Sequence, residues 1–143
     1  CLHIACAESC TGGQVTQRLI AIPSASAVID ASLVTYSNDA KQHWLGLEST
    51  ILETHGAVSD ATVTAMATAL QQTYPQSLCL SLSGIAGPGG GSTEKPVGLV
   101  YICLATPHGC DVFEKHFTGG REDIQRRASS FALWCLYDYL RQL

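Results

Sequence analysis

Residues 84–91 hold five glycines in eight positions, directly after the apolar run 78–82. Neither a helix nor a sheet continues well through such a stretch, because glycine loses the most backbone freedom on ordering. A buried strand must stop there and hand over to a loop. The backbone of that loop can approach a ligand closely and turn N–H groups toward an anion. The same grammar recurs at the start of the chain. Residues 2–7 form a short apolar run that ends in Glu8-Ser9-Cys10-Thr11-Gly12-Gly13. A helix is predicted over residues 14–22, stopped near Pro23.

Further along, residues 31–36 read as a second strand, with Ser37-Asn38 or Asp39 capping a helix that carries Lys41 and ends at Gly46. A shorter helix is predicted over 48–54. Ser59 then caps a long helix in which Val63, Met66, Ala67 and Leu70 fall on one stripe, and Pro75 bars its continuation. Residues 97–105 and 112–117 read as two strands of a hairpin turning at His108-Gly109. The last helix begins after Gly119-Gly120, places Glu122 and Asp123 at its positive end, and buries Ile124, Ala128, Phe131 and Cys135. Alternating strands and helices followed by a hairpin imply one three-layer α/β/α domain over residues 1–143, with a mixed, largely parallel sheet. Its ligand crevice belongs at the C-terminal ends of the strands.

Composition narrows the function classes. Of the 143 residues 46% are hydrophobic, enough for a core. The formal charge of −4 argues against nucleic acid and anionic lipid as partners, while leaving room for a small phosphate ligand. No apolar run approaches the ~18 residues of a membrane span. The seven cysteines are odd in number and lack a CxxC, which fits reduced thiols in a cytoplasmic protein. Charged residues are only 14%. With Trp134, Tyr137 and Tyr139 on the last helix, this predicts a homo-oligomer, most simply a two-fold dimer. The alternative is that these aromatics complete the packing of the monomer.

Several chemistries lack their residues. The glycine stretch is followed by no Gly-Lys-Ser/Thr and contains no GxGxxG, so it is neither a Walker A loop nor a dinucleotide fingerprint. The histidines at 3, 43, 55, 108 and 116 have no ligand spacing, so no metal is called for. There is no GxSxG elbow. The 8–13 turn is either a phosphate cradle on a helix N-terminus or plain helix capping. Cys10 is either a thiolate stabilised at that helix start or a small half-buried residue. Lys41 is either a solvated helix lysine or a base kept neutral by burial. Arg121 suits a phosphate or carboxylate partner as well as a surface ion pair.

Taken together, Ala7-Glu8-Ser9-Cys10-Thr11-Gly12-Gly13, Val34-Thr35-Tyr36-Ser37-Asn38-Asp39-Ala40-Lys41, Gly56-Ala57-Val58-Ser59, Ser83-Gly84-Ile85-Ala86-Gly87-Pro88 and Glu94-Lys95-Pro96-Val97-Gly98 occur in this order. With these motifs the chain resembles the CinA C-terminal domain family, the nicotinamide-nucleotide amidases, over nearly its whole length. The resemblance implies hydrolysis of the carboxamide of nicotinamide mononucleotide to nicotinate mononucleotide and ammonia, with no cofactor. It places the nucleophile on Ser26, with Ser24 an adjacent rival, the general base on Lys41 and a hydroxyl partner on Tyr36. It sets Ser9, Thr11, Gly12, Gly13, Ser83, Gly84, Gly87 and Arg121 at the substrate. The family's helix before the first strand and the nucleotide-pyrophosphatase domain of longer members are missing, which fits the stand-alone form or an excised domain. A competing class is a module that binds a pyridine nucleotide or similar phosphate compound without turnover.

Overall fold

Period-two alternation with both faces apolar builds the centre of the molecule. The computed structural model describes residues 2–143. Its strands are β1 (His3–Glu8), β2 (Ile29–Val34), β3 (Ser77–Gly84), β4 (Leu99–Thr106) and β5 (Gly109–His116). Its helices are α1 (Gln14–Ile20), α2 (Asn38–Leu45), α3 (Ser49–His55), α4 (Asp60–Thr73) and α5 (Arg121–Leu140), and one 3₁₀ turn, Ala25–Ala27, precedes β2. The sheet order is β2-β1-β3-β4-β5. β1 runs parallel to β2 and β3, and β4 is antiparallel to both its neighbours. Four strands therefore share one direction, as the sequence implied for a mixed, mostly parallel sheet.

The two faces differ in size. Ile4, Leu78, Leu80, Leu82, Val100, Ile102 and Leu104 fill the face covered by α1 and α5, with Val15, Ile124, Ala128 and Cys135. The other face presents Ala5, Ala7, Cys79, Cys103 and Ala105 to Val63, Met66, Ala67 and Leu70 of α4. Small side chains there let α4 come close enough that the Ser81 hydroxyl donates to the Val63 carbonyl at 2.6 Å. No helix is long and apolar enough to cross a membrane among the described residues.

Several boundaries move from their predicted positions. α1 ends at Ile20, two residues before the predicted end, and Ile22 closes a turn on Leu19 instead. β2 spans Ile29–Val34 rather than 31–36, which leaves Thr35 and Tyr36 beyond the strand, where their carbonyls are free to turn toward Lys41. Ser37, not Asn38 or Asp39, caps α2 by accepting from the Ala40 N–H at 3.0 Å. Ser59 caps α4 as expected. Gly98 has φ +97°, and a Cβ there would sit on the Phe117 carbonyl, so β4 starts at Leu99, two residues later than its predicted run. On α5, Trp134 and Tyr137 are exposed, but Tyr139 packs against the core, which removes it from the predicted contact surface.

The start of α1 is closed from within. Glu8 is fully buried, and its carboxylate accepts from the N–H groups of Gly13 (3.1 Å), Val15 (3.1 Å) and Thr16 (2.9 Å) and the hydroxyls of Thr11 (2.6 Å) and Thr16 (2.8 Å). A buried carboxylate on a helix N-terminus satisfies donors that otherwise lack partners. Glu8→Gln replaces one acceptor oxygen with a donor that faces N–H groups. It is expected to lower the unfolding free energy by about 3 kcal/mol in urea denaturation. A loss below about 1 kcal/mol would show that the turn does not depend on this carboxylate.

Candidate active site

The chain leaves β1 outward to β2 and later returns on the other side of β1 as β3. Such a reversal opens a crevice at the C-terminal ends of the strands. A cavity of about 290 Å³ lies there. Ser9 and Cys10 enter it from the end of β1, Tyr36 and Lys41 from beyond β2, Ser83 and Gly84 from the end of β3, and Arg121 from the start of α5. The α3–α4 turn contributes Ala57, and the glycine loop closes the remaining side with Gly87, Gly89 and Gly90.

At its floor stands a buried lysine. Lys41 is 1% exposed. Its Nζ lies 3.1 Å from Ser9 Oγ, 2.9 Å from the Thr35 carbonyl and 3.3 Å from the Tyr36 carbonyl. No carboxylate of the described residues pairs with it. Burial pulls its pKa down to about 8 from the ordinary lysine range, with neighbouring Cys10 opposing weakly. The two carbonyls only accept, so a neutral amine gives them its two N–H bonds. Its lone pair is then left facing the Ser9 hydroxyl, which is the geometry for taking a proton from Ser9.

The mouth carries a second cluster. Arg121 donates to the Gly87 carbonyl at 2.7 Å and to the Tyr36 hydroxyl oxygen at 2.9 Å. With its oxygen occupied as acceptor, the Tyr36 O–H keeps its own proton for another group. Tyr36 reaches Lys41 and Ser9 through its main-chain carbonyl, at 3.3 and 3.5 Å, rather than through its ring. Cys10 is no thiolate: burial pushes its thiol up to about 12.

Of the residues singled out in the sequence, Lys41, Tyr36, Ser9, Ser83, Gly84, Gly87 and Arg121 meet at one cavity. Four do not. Ser26 sits in the 3₁₀ turn ahead of β2, beside a separate surface cavity lined by Ile20, Pro23, Ser24 and Ile29. Lys41 follows the far end of that strand, and six residues of β2 span roughly 20 Å. Ser26 and Ser24 therefore stand at the opposite end of β2, and the serine hydroxyl that meets Lys41 is that of Ser9. Thr11 and Gly13 are turned onto Glu8, and the Gly12 N–H closes a turn on the Ser9 carbonyl. The helix donors expected to cradle a phosphate are thus already taken. Ser9 was legible as a site residue but not as the partner of Lys41. The signal was topological: residues just past two adjacent parallel strands meet, and a residue ahead of one of them does not.

Comparison with known proteins gives the family and the fold. The CinA C-terminal domain family matches residues 1–140. A CinA-like protein of Petrotoga mobilis is 43% identical over 136 residues, 95% of this chain and 34% of the relative. A CinA-like protein of Syntrophotalea carbinolica is 45% identical over 142 residues, 99% of this chain and 34% of the relative. The chain thus spans about a third of the length of these relatives. Among solved structures, a competence-damaged protein (CinA) superfamily protein from Klebsiella pneumoniae superposes with a TM-score of 0.93 at 32% identity, over 99% of this chain and 89% of the other. The competence/damage inducible protein CihA from Agrobacterium tumefaciens gives 0.92 at 40% identity, over 96% and 84%. The two solved relatives are named for competence and damage rather than for a reaction.

The buried amine has a direct spectroscopic consequence. The Lys41 Cε resonance is expected to titrate with a midpoint of about 8 in heteronuclear NMR. Because the unfolded lysine holds its proton to higher pH, the unfolded chain binds more protons between about 8 and the ordinary lysine range. This group's contribution to stability therefore rises with pH across that window and is lowest below it. A midpoint in the ordinary range would mean the amine is solvated.

Proposed function

The chain belongs to the CinA C-terminal domain family, and from that premise we propose that it hydrolyses the carboxamide of nicotinamide mononucleotide to nicotinate mononucleotide and ammonia. The observation that carries the reading is the Ser9–Lys41 contact of 3.1 Å at the floor of the cavity, with the lysine pulled down to about 8 by burial. A nucleophile beside a base whose pKa lies near the working pH is what acyl transfer needs, and a solvated lysine cannot supply it.

In this mechanism neutral Lys41 takes the Ser9 proton as Oγ attacks the carboxamide carbon. The resulting ammonium returns a proton to the departing nitrogen, ammonia leaves, and a serine ester of the nicotinate remains. Lys41 then takes a proton from water as that water attacks the ester, and it returns one to Ser9 as the ester breaks. The Thr35 and Tyr36 carbonyls hold the amine in place through both steps and soften the cost of its transient charge. Oxyanion donors come from backbone N–H groups of the turns around Ser9 and Gly84–Gly87.

The cavity's volume of about 290 Å³ is at the small end of the roughly 300–1,000 Å³ range of ligand sites. It suits the pyridine carboxamide, with ribose and phosphate at the mouth. There Arg121 and the Tyr36 O–H are the donors for the phosphate, since Glu8 already occupies the α1 N-terminus.

Ammonia release from nicotinamide mononucleotide by the purified protein tests the reading. Ser9→Ala is expected to cut the rate by several orders of magnitude. Ser26→Ala is expected to leave it near wild type. Lys41→Arg is expected to be inactive, because arginine keeps its proton. The wild-type rate rises with pH through about 8, as the base loses its proton. Nucleotide binding without ammonia release would make the chain a binding module. Normal turnover by Lys41→Arg would assign the base elsewhere.

A further inference from the structure

The longest connection in the fold, residues 85–98 between β3 and β4, forms one wall of the cavity. Its stem is fixed by the Ile85 N–H on the Leu99 carbonyl (2.9 Å) and the Gly98 N–H on the Ile85 carbonyl (2.7 Å). Farther out it contains no strand or helix of its own. Its tip is a small closed turn, in which the Ser92 N–H donates to the Lys95 carbonyl at 2.8 Å and the Lys95 N–H to Ser92 Oγ at 3.0 Å. From that turn Lys95 reaches across the sequence by 40 residues and donates from Nζ to the His55 carbonyl at 2.5 Å. His55 ends α3, so its carbonyl is among those that a helix leaves without an internal donor. The next residues, Gly56 and Ala57, lead into the opposite wall of the cavity, and the Gly56 carbonyl is itself tied to Ser59 and Thr62 at the start of α4. Lys95 pairs with no carboxylate among the described residues, so its ammonium is committed to this one carbonyl.

We infer that Lys95 is a positioning residue that clasps the glycine loop to the end of α3 and so sets the width of the cavity in which Ser9 and Lys41 meet. Arg121 holds the same loop at Gly87 from the α5 side, so the wall is pinned at two separated points. Arg121 also faces the mouth, whereas Lys95 lies outside the cavity lining and acts only through the loop. The clasp is made by the chain's own residues. Its effect on turnover rests on the amidase reading, but its effect on the loop does not.

The test compares wild type, Lys95→Met and Lys95→Arg by amide hydrogen exchange on the full chain. It adds steady-state kinetics with nicotinamide mononucleotide. Met keeps the side chain's reach without the donor, and Arg restores a donor. Exchange over residues 85–98 is expected to accelerate roughly ten-fold in Lys95→Met, as for loss of a charge-assisted hydrogen bond, and to return toward wild type in Lys95→Arg, with β1, β3 and β4 unchanged. In the kinetics, KM for Lys95→Met rises by about the same factor, while kcat stays within about two-fold. Unchanged loop exchange in Lys95→Met overturns the clasp, as does uniform loss of protection across the sheet, which would make Lys95 a general stability residue. Faster loop exchange with wild-type KM, in a protein that turns over, overturns its link to the cavity. If the wild type releases no ammonia, the amidase reading fails and the exchange result still decides the clasp.

Discussion

Burying a lysine amine with only neutral partners is the constraint around which the rest of this molecule is arranged. A charged ammonium at 1% exposure is costly, and the structure does not offset that cost with a carboxylate. It supplies two main-chain carbonyls and one hydroxyl instead. Those carbonyls are free because β2 stops at Val34, and after Thr35 and Tyr36 the chain turns into the Ser37 cap of α2. The hydroxyl is in place because β1 lies next to β2 in parallel register, so that the two strands end together. A carboxylate at the same place would keep the proton on Lys41 and remove the base.

The carboxylate next to Ser9 in sequence is diverted. Glu8 ends β1 immediately before Ser9, yet it is turned to the other side and absorbed by five donors of α1 and its leading turn. This arrangement does two things at once. It holds the Ser9 turn rigidly by charge-assisted bonds, and it neutralises the positive end of the helix, where a phosphate would otherwise sit. The cation left facing the cavity mouth is Arg121, on the Gly87 carbonyl and the Tyr36 hydroxyl.

Much of this was legible in the sequence because it is local. Period-two runs, the Ser37 and Ser59 caps, the stop imposed ahead of Pro75 and the glycine turns at strand ends each follow from one short segment. Lys41 and Tyr36 were legible as a motif within six residues. The Ser9–Lys41 contact was not, since 32 residues separate its members and only the pairing of β1 with β2 joins them. Ser26 received the nucleophile role by position within the resemblance, and the strand between it and Lys41 puts the two far apart in space. The turn at 8–13 was read for its exposed donors. What the sequence could not display is that a neighbouring side chain, Glu8, reaches back to fill them.

The central claim is that Ser9 becomes covalently acylated by attack on the substrate's carboxamide. Acid-quenching the protein during turnover of nicotinamide mononucleotide and mapping its peptides by mass spectrometry tests this most directly. The account predicts an adduct on the peptide containing Ser9, with the mass of nicotinate mononucleotide less one water, and no such adduct in Ser9→Ala. The same adduct located on Ser26, Ser24 or Cys10 would contradict it.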